Sequence, residues 1–292
     1  MKLALGTVQF GIDYGVSNTQ GQVTPASIAE ILAIAKENNI DTLDCAATYG
    51  NSEQVLGELE ASQHFNIVTK IPNLKNNESS LVPYFNESLN KLNRTSVDTL
   101  LLHDVNTLLQ HPNSDNFCHE LKQLKSQNKV KRIGVSVYSP QQIEQSIKRL
   151  ELDIVQAPLN AFDQRVCAKN TVNLFDQHQI KLHIRSVFLQ GLLLMENGTW
   201  PEYFTPYLSY LTKFDMLSKK LKISKLTLAL AFVVQNSLIK PYIEKIVVGC
   251  CSKKQLEQII QSYNQAKQLP SDDINWTDFA NNQAELINPS YW

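Results

Sequence analysis

The feature that most narrows what this chain can fold into is a rhythm. Short apolar runs of strand length alternate with longer amphipathic segments eight times. The runs cover residues 3–5, 42–44, 66–70, 98–103, 132–137, 153–157, 182–187 and 245–249. Between them, apolar residues recur at helical spacing: Ile28, Ile31, Leu32 and Ala35; Leu81, Phe85, Leu89 and Leu92; Phe117, Leu121 and Leu124; Ile143, Ile147 and Leu150; Leu256, Ile259, Ile260 and Tyr263. Thr24-Pro25, Ser139-Pro140 and Ser252 supply helix starts, and Asn51-Ser52 offers another ahead of Val55, Leu56 and Leu59. Strict strand–helix alternation implies parallel neighbours, because a parallel pair needs a crossover.

Eight such units in 292 residues predict an α/β fold, a (β/α)8 TIM barrel forming one domain over residues 1–292. The rival is an open doubly wound sheet, which normally carries a G-x-G-x-x-G loop after its first strand. Residues 6–11 lack that spacing, and residues 10–13 do not begin like a helix. After the seventh strand comes a longer stretch, residues 189–206, with Gly191, Gly198 and Trp200, then helical segments over 208–221 and 226–234. The C-terminal tail after Pro270 is polar apart from Trp276, Phe279 and Trp292.

Composition removes several function classes. Hydrophobic residues make up 43 %, enough for a large core, while net charge is −1 with no Lys/Arg run, which argues against a nucleic-acid partner. No apolar stretch reaches membrane-span length, and the N-terminus reads as a first strand rather than a signal peptide. Five scattered cysteines, an odd number, point to a reduced, cytoplasmic setting.

Four titratable groups belong to neighbouring strand ends. The second strand ends on Asp44 and leads to Tyr49 on a loop; the third ends on Lys70 and the fourth on His103. Singly, each has a plain reading: a cap, a loop tyrosine, a surface charge, a core histidine. Together they sit at the C-terminal ends, where a parallel barrel places its active site. A free phenol has a pKa of about 10 and is a poor acid at neutral pH. Lys70 beside it would lower that value, Asp44 would hold Lys70, and a neutral His103 would orient a carbonyl by hydrogen bond. Such a set donates a proton to a developing alkoxide but holds no nucleophile, so hydride must come from a bound donor.

With these residues in place, the chain resembles the aldo-keto reductase superfamily over nearly its whole length. LGTVQFG is similar to the family's first-strand signature and LDCAATYGNSEQVLG to its best-known motif; VTK, LLLHD, GVSVYS, VQAPLN, RSVFLQGLL and VVGCCSKKQLEQ follow in order. The resemblance implies a catalytic tetrad of Asp44, Tyr49, Lys70 and His103, and reduction of an aldehyde or ketone by NAD(P)H. It also implies cofactor contacts: Thr7 and Asp44 near the nicotinamide ribose, Ser136 and Gln156 on the carboxamide, Arg185 against the ring. Ser186 would meet the pyrophosphate, with Phe188 and Gln190 beyond, and Gly249, Cys250, Cys251, Ser252 and Gln255 would line the adenosine end at a helix N-terminus.

The pattern departs from the family at Val137 and Ile259, where many members have asparagine, and at Gln255, where some have arginine. Lys253 and Lys254 would offset the last, so NADP(H) is favoured over NAD(H). Substrate choice falls to loops 9–16, 105–111 and 189–206. Their Phe10, Asp13, Tyr14, Trp200, Tyr203 and Phe204 either close over a carbonyl or sugar ring or serve as packing. GTVQFGIDYG resembles a branch associated with bacterial surface-sugar pathways, which points to a sugar-derived carbonyl. Two other readings stand beside this one: an NADP(H)-binding sensor or regulatory subunit with little turnover, and a metal-dependent hydrolase using His103 and Asp104. The hydrolase lacks a second strand-end histidine in a ligand pattern. Oligomeric state is not legible.

Overall fold

The computed structural model describes residues 1–270 and 274–292; residues 271–273, the start of the tail, lie outside the described set. Strands β1 (Leu3–Gly6), β2 (Thr42–Asp44), β3 (Asn66–Ile71), β4 (Val97–Leu102), β5 (Val130–Ser136), β6 (Ile154–Pro158), β7 (Lys181–Arg185) and β8 (Ile243–Gly249) pair in parallel in sequence order. β8 then closes on β1, with Gly6 opposite both Asp44 and Gly249. The helices between them are α1 (Pro25–Glu37), α2 (Ser52–Glu58), α3 (Val82–Lys91), α4 (Ser114–Ser126), α5 (Pro140–Ile147), α6 (Lys169–Gln177), α7 (Leu208–Leu221), α8 (Lys225–Gln235) and α9 (Lys253–Ala266).

Side chains alternate across each strand, so every strand feeds two cores. One residue set (Leu3 and Leu5, Leu43, Leu100 and Leu102, Val135, Val155, Ile184) meets the helices in a continuous apolar layer. The alternate set points into the barrel. There, Val68, Leu101 and Ile154 form a small separate apolar plug. Above the plug the inward positions are Asp44, Lys70, Ser136, Gln156 and Arg185. Below it Arg132 and Glu244 form an ion pair, with His183 at 3.6 Å from Glu244. The same period of two that buries leucine outward therefore sends polar groups to both mouths.

Helix starts follow the sequence where the cap is local. Thr24, Ser139 and Ser252 each accept from the backbone N–H three residues on, and Ser139 forms a full capping box with Gln142. One expectation fails. Asn51 occupies the cap position of α2 without capping it, and the Ser52 hydroxyl donates instead to the Thr7 carbonyl and side chain. Residues 8–11 form one helical turn, Val8–Gly11, and no helix begins over residues 10–13. Four residues are too few for a periodic signal.

The stretch after β7 contains 3₁₀ turns at Leu189–Leu194 and Glu202–Tyr207. Phe204 and the tail's Phe279 are buried, and Phe279 lies parallel to Phe162 at 6.5 Å. The tail thus packs as an outer apolar layer. All five cysteines are free.

Candidate active site

β2, β3 and β4 deliver the titratable groups to one mouth of the barrel. Lys70 is fully buried and its three ammonium donors are all engaged: Asp44 Oδ2 at 2.7 Å, the Cys45 carbonyl at 2.8 Å and the Tyr49 hydroxyl at 3.4 Å. The second Asp44 oxygen accepts from Gln156 Nε2 at 2.8 Å, so that carboxylate is held from two strands at once. His103 lies one residue beyond β4, and its N–H donates to the Ile71 carbonyl. Its ring stands edge-on to Tyr49 at 5.6 Å, and its Nδ1 is 3.0 Å from the Thr48 hydroxyl.

Electrostatics fix the protonation states. Lys70 is held well above its ordinary value: Asp44 and Tyr49 outweigh the burial that opposes its charge. Burial, aided by Lys70, pushes His103 down to about 3, so its imidazole is neutral at physiological pH. The phenol of Tyr49 moves the other way from the sequence-based expectation. Burial raises its pKa, and the lowering by Lys70 does not overcome it. Residue identities reveal the partners of a group; its desolvation emerges only from the fold.

These groups open into a cavity of about 650 Å³, within the usual size of a small-molecule site. It runs from Tyr49 and His103 past Ser136, Arg185, Ser186, Phe188 and Gln190 to Gly249, Cys250, Cys251 and Gln255. Thr7 and Gln156 also face it, but both are engaged: Thr7 Oγ1 donates to the Asp44 carbonyl and Gln156 to the Asp44 side chain. Ser252 caps α9 and is not part of the wall; Lys253 and Lys254 are exposed beyond it. Gln255 Oε1 accepts from the Cys251 N–H at 2.7 Å.

Of the loop aromatics, Phe10 and Phe204 are core and Tyr203 donates to the Glu285 carbonyl, while Tyr14 does line the cavity. Burial pushes Tyr14 up to about 12, with Tyr49 acting in the same direction.

Two features mark the cavity as built for a ligand. The backbone of the β7 loop is left-handed at Ser186, Leu189, Gln190 and Gly191, three of them non-glycine, and such conformations concentrate at functional sites. A strap over residues 14–18 bridges two other loops: Gln190 Nε2 donates to Tyr14 Oη (3.1 Å), and Cys251 Sγ lies 3.6 Å from Asn18 Oδ1.

The residues fit a dinucleotide. Gln9 Oε1 is buried on the wall with no donor among the described residues. Beside it, Gly249 keeps the wall open, since a Cβ there would come within 2.8 Å of the Gln9 side chain. Sequence reasoning named Gln9 only as the start of a substrate loop and missed Thr48, Tyr138 and the Cys45 carbonyl; none carries a local pattern, and only the closed barrel brings them to this mouth.

The sequence model of the aldo/keto reductase family matches residues 2–281, and the chain belongs to that family of nicotinamide-dependent oxidoreductases. An uncharacterised oxidoreductase of Bacillus subtilis, YqkF, is 24% identical over 262 residues, covering 84% of each chain. Oxidoreductase sirO of Leptosphaeria maculans is 33% identical over 107 residues, 35% of this chain and 32% of that protein. Among solved structures, the holo form of an aldo-keto reductase from Bacillus halodurans superposes with a TM-score of 0.70 at 17% identity, covering 91% of both chains. The glycerol dehydrogenase of Gluconobacter oxydans gives 0.69 at 20% identity, covering 98% of this chain and 92% of that one. At such identities the two structures establish the fold.

Proposed function

We propose that the chain is a cytoplasmic NAD(P)H-dependent reductase of an aldehyde or ketone, with Tyr49 as general acid and NADP(H) preferred over NAD(H). The observation that carries this is the ammonium of Lys70, 3.4 Å from the Tyr49 oxygen and clamped by Asp44. Among the cavity's phenols, Tyr14 and Tyr138 have no such partner among the described residues.

A bound reduced nicotinamide supplies the hydride. The chain's own residues do the rest. His103, neutral, donates to the carbonyl oxygen from Nε2 when Thr48 donates to Nδ1, and so orients the substrate. Tyr49 then passes its proton to that oxygen as negative charge develops, and Lys70 stabilises the phenolate left behind. Asp44 keeps Lys70 charged and fixed. Gln156, Thr7, Ser136, Arg185, Ser186, Phe188, Gln190, Gly249, Cys250, Cys251 and Gln255 are the residues we assign to the cofactor, with Ser252 acting only through its cap of α9. Ser136 is the side chain best placed for the carboxamide, because Thr7 and Gln156 are engaged with Asp44. Exposed Lys253 and Lys254 at the start of α9 support a 2′-phosphate. A sugar-derived carbonyl is the substrate reading that the first-strand segment favours.

The test is Tyr49→Phe. Carbonyl-dependent NADPH oxidation should fall by about 10²- to 10⁴-fold while NADPH affinity, read by fluorescence, stays within about twofold. Normal turnover in that variant would remove Tyr49 as the acid. One observation favours a sensor as the second reading: burial raises the Tyr49 pKa, which disfavours phenolate. Stopped-flow oxidation across a carbonyl panel separates the two, since a sensor would bind NADPH tightly and oxidise none of it.

A further inference from the structure

Arg185 ends β7 and lies in the cavity wall beside the reacting groups; its charge acts on Tyr49, His103 and Tyr14. It is held there. Nη2 donates to the Val137 carbonyl at 3.0 Å, Nη1 donates to Ser186 Oγ at 3.2 Å, and the guanidinium carbon sits 4.2 Å above the Tyr138 ring. A guanidinium has five N–H donors, so these contacts leave three without an acceptor among the described residues.

The charge is also unmatched. Among the described residues, the other charged group on the wall is Asp44, which Lys70 neutralises at 2.7 Å; no carboxylate lies within ion-pair distance of Arg185. Several partly buried cations elsewhere are paired, Arg132 with Glu244, Arg165 with Asp163 and Lys225 with Asp215, while Arg94 and Lys2 spend their donors on backbone carbonyls away from this cavity. A cation on a mobile surface side chain needs no partner. One stacked, tethered and aimed into a cavity is pre-organised for a planar or tetrahedral oxyanion, the geometry a guanidinium fork matches.

We infer that the carbonyl substrate bears an oxyanion, a carboxylate or a phosphate, and that Arg185 is the specificity residue that reads it. This rests on the reductase reading above and names its substrate class.

The experiment uses the full chain with NADPH and matched substrate pairs: glyceraldehyde 3-phosphate against glyceraldehyde, and succinic semialdehyde against butanal. The wild type should favour the charged member of at least one pair by about tenfold or more in kcat/KM, and which pair responds tells phosphate from carboxylate. At saturating NADPH, Arg185→Met should erase that preference through KM, lowering kcat/KM for the charged member at least tenfold more than for its neutral analogue, and Arg185→Lys should restore part of it. A wild type blind to charge overturns the inference. So does an Arg185→Met variant that loses NADPH affinity and both members equally, which would place the guanidinium on the cofactor's pyrophosphate. If no carbonyl is turned over, the reductase reading fails separately. Calorimetric binding of inorganic phosphate and of succinate to the NADP⁺-loaded protein then decides: binding lost in Arg185→Met supports the inference, and binding indifferent to the substitution ends it.

Discussion

The two mouths of this barrel handle charge differently. At the N-terminal end, carboxylates at the starts of strands meet a cation, and two of them also take up a ladder N–H group. Asp98 accepts from the Ile67 N–H and pairs with Lys131; Asp153 accepts from the Ile133 N–H and pairs with Lys125; Asp41 pairs with Lys245. Inside that rim, the His183 ring and the Arg132 guanidinium hold Glu244 down to about 2. At the C-terminal end, Asp44 and Lys70 are matched as completely, yet Arg185 is left over. The N-terminal rim has its own cation without a carboxylate, Lys2, but its ammonium donates to the Lys240 and Ile243 carbonyls, whereas Arg185 faces a cavity. This agrees with the general division of such barrels into a stabilising and a reactive face.

The sharpest way to break that contrast is to delete a matched cation from each end. Lys70→Met leaves Asp44 buried without its ion-pair partner, a loss of about 3–5 kcal/mol for a buried pair, and removes the ammonium 3.4 Å from the Tyr49 hydroxyl. Thermal unfolding should show the first effect. A pH–rate profile should show the second, as a rate cut by a few powers of ten with activity retained best at low pH. An unchanged profile would separate Lys70 from the chemistry.

Arg132→Met, at the partly exposed far end, should cost less, about 1–2 kcal/mol, and leave kcat/KM alone. Its effect should depend on pH with a definite sign. The folded-state pKa of Glu244 is depressed from 4.5 to about 2, so its stabilisation is present above 4.5 and fades as pH falls through about 2. The wild-type–variant gap in denaturant unfolding should therefore close between those values; a gap unchanged at pH 2 would show that Arg132 acts by packing.

The smallest effect is expected at Thr48→Val, which removes the hydroxyl beside His103 Nδ1. Turnover should drop severalfold with no change in melting temperature, on the scale of one neutral hydrogen bond of about 1 kcal/mol. A substantial loss of stability would recast Thr48 as a structural residue.

Much of this was legible in the chain itself. The eight strands announced themselves because barrel strands are buried on both sides and read as apolar runs. Asp44 and Lys70 announced themselves because a charge ending such a run is costly unless it is paired. What stayed hidden depended on distance along the chain. Gln156 reaches Asp44 across 112 positions, and no local pattern encodes that meeting. Thr48 looks like any loop residue until the barrel closes. The direction of the Tyr49 shift was hidden for a related reason, since burial belongs to the assembled mouth. The cap expected at Asn51 failed because Gln22 donates to its side chain at 2.8 Å.

The backbone beneath Tyr49 has one more consequence. Gly11 and Gly50 lie against each other without side chains: a Cβ on Gly11 would overlap the Tyr49 carbonyl, and one on Gly50, already left-handed, would overlap the Gly11 carbonyl. The turn leaving the first strand is therefore the anvil on which the phenol's loop is shaped. A single methyl added thirty-eight residues upstream would tilt the Tyr49 phenol without touching it, so the tolerance of this mouth to drift is set partly by atoms that are not there.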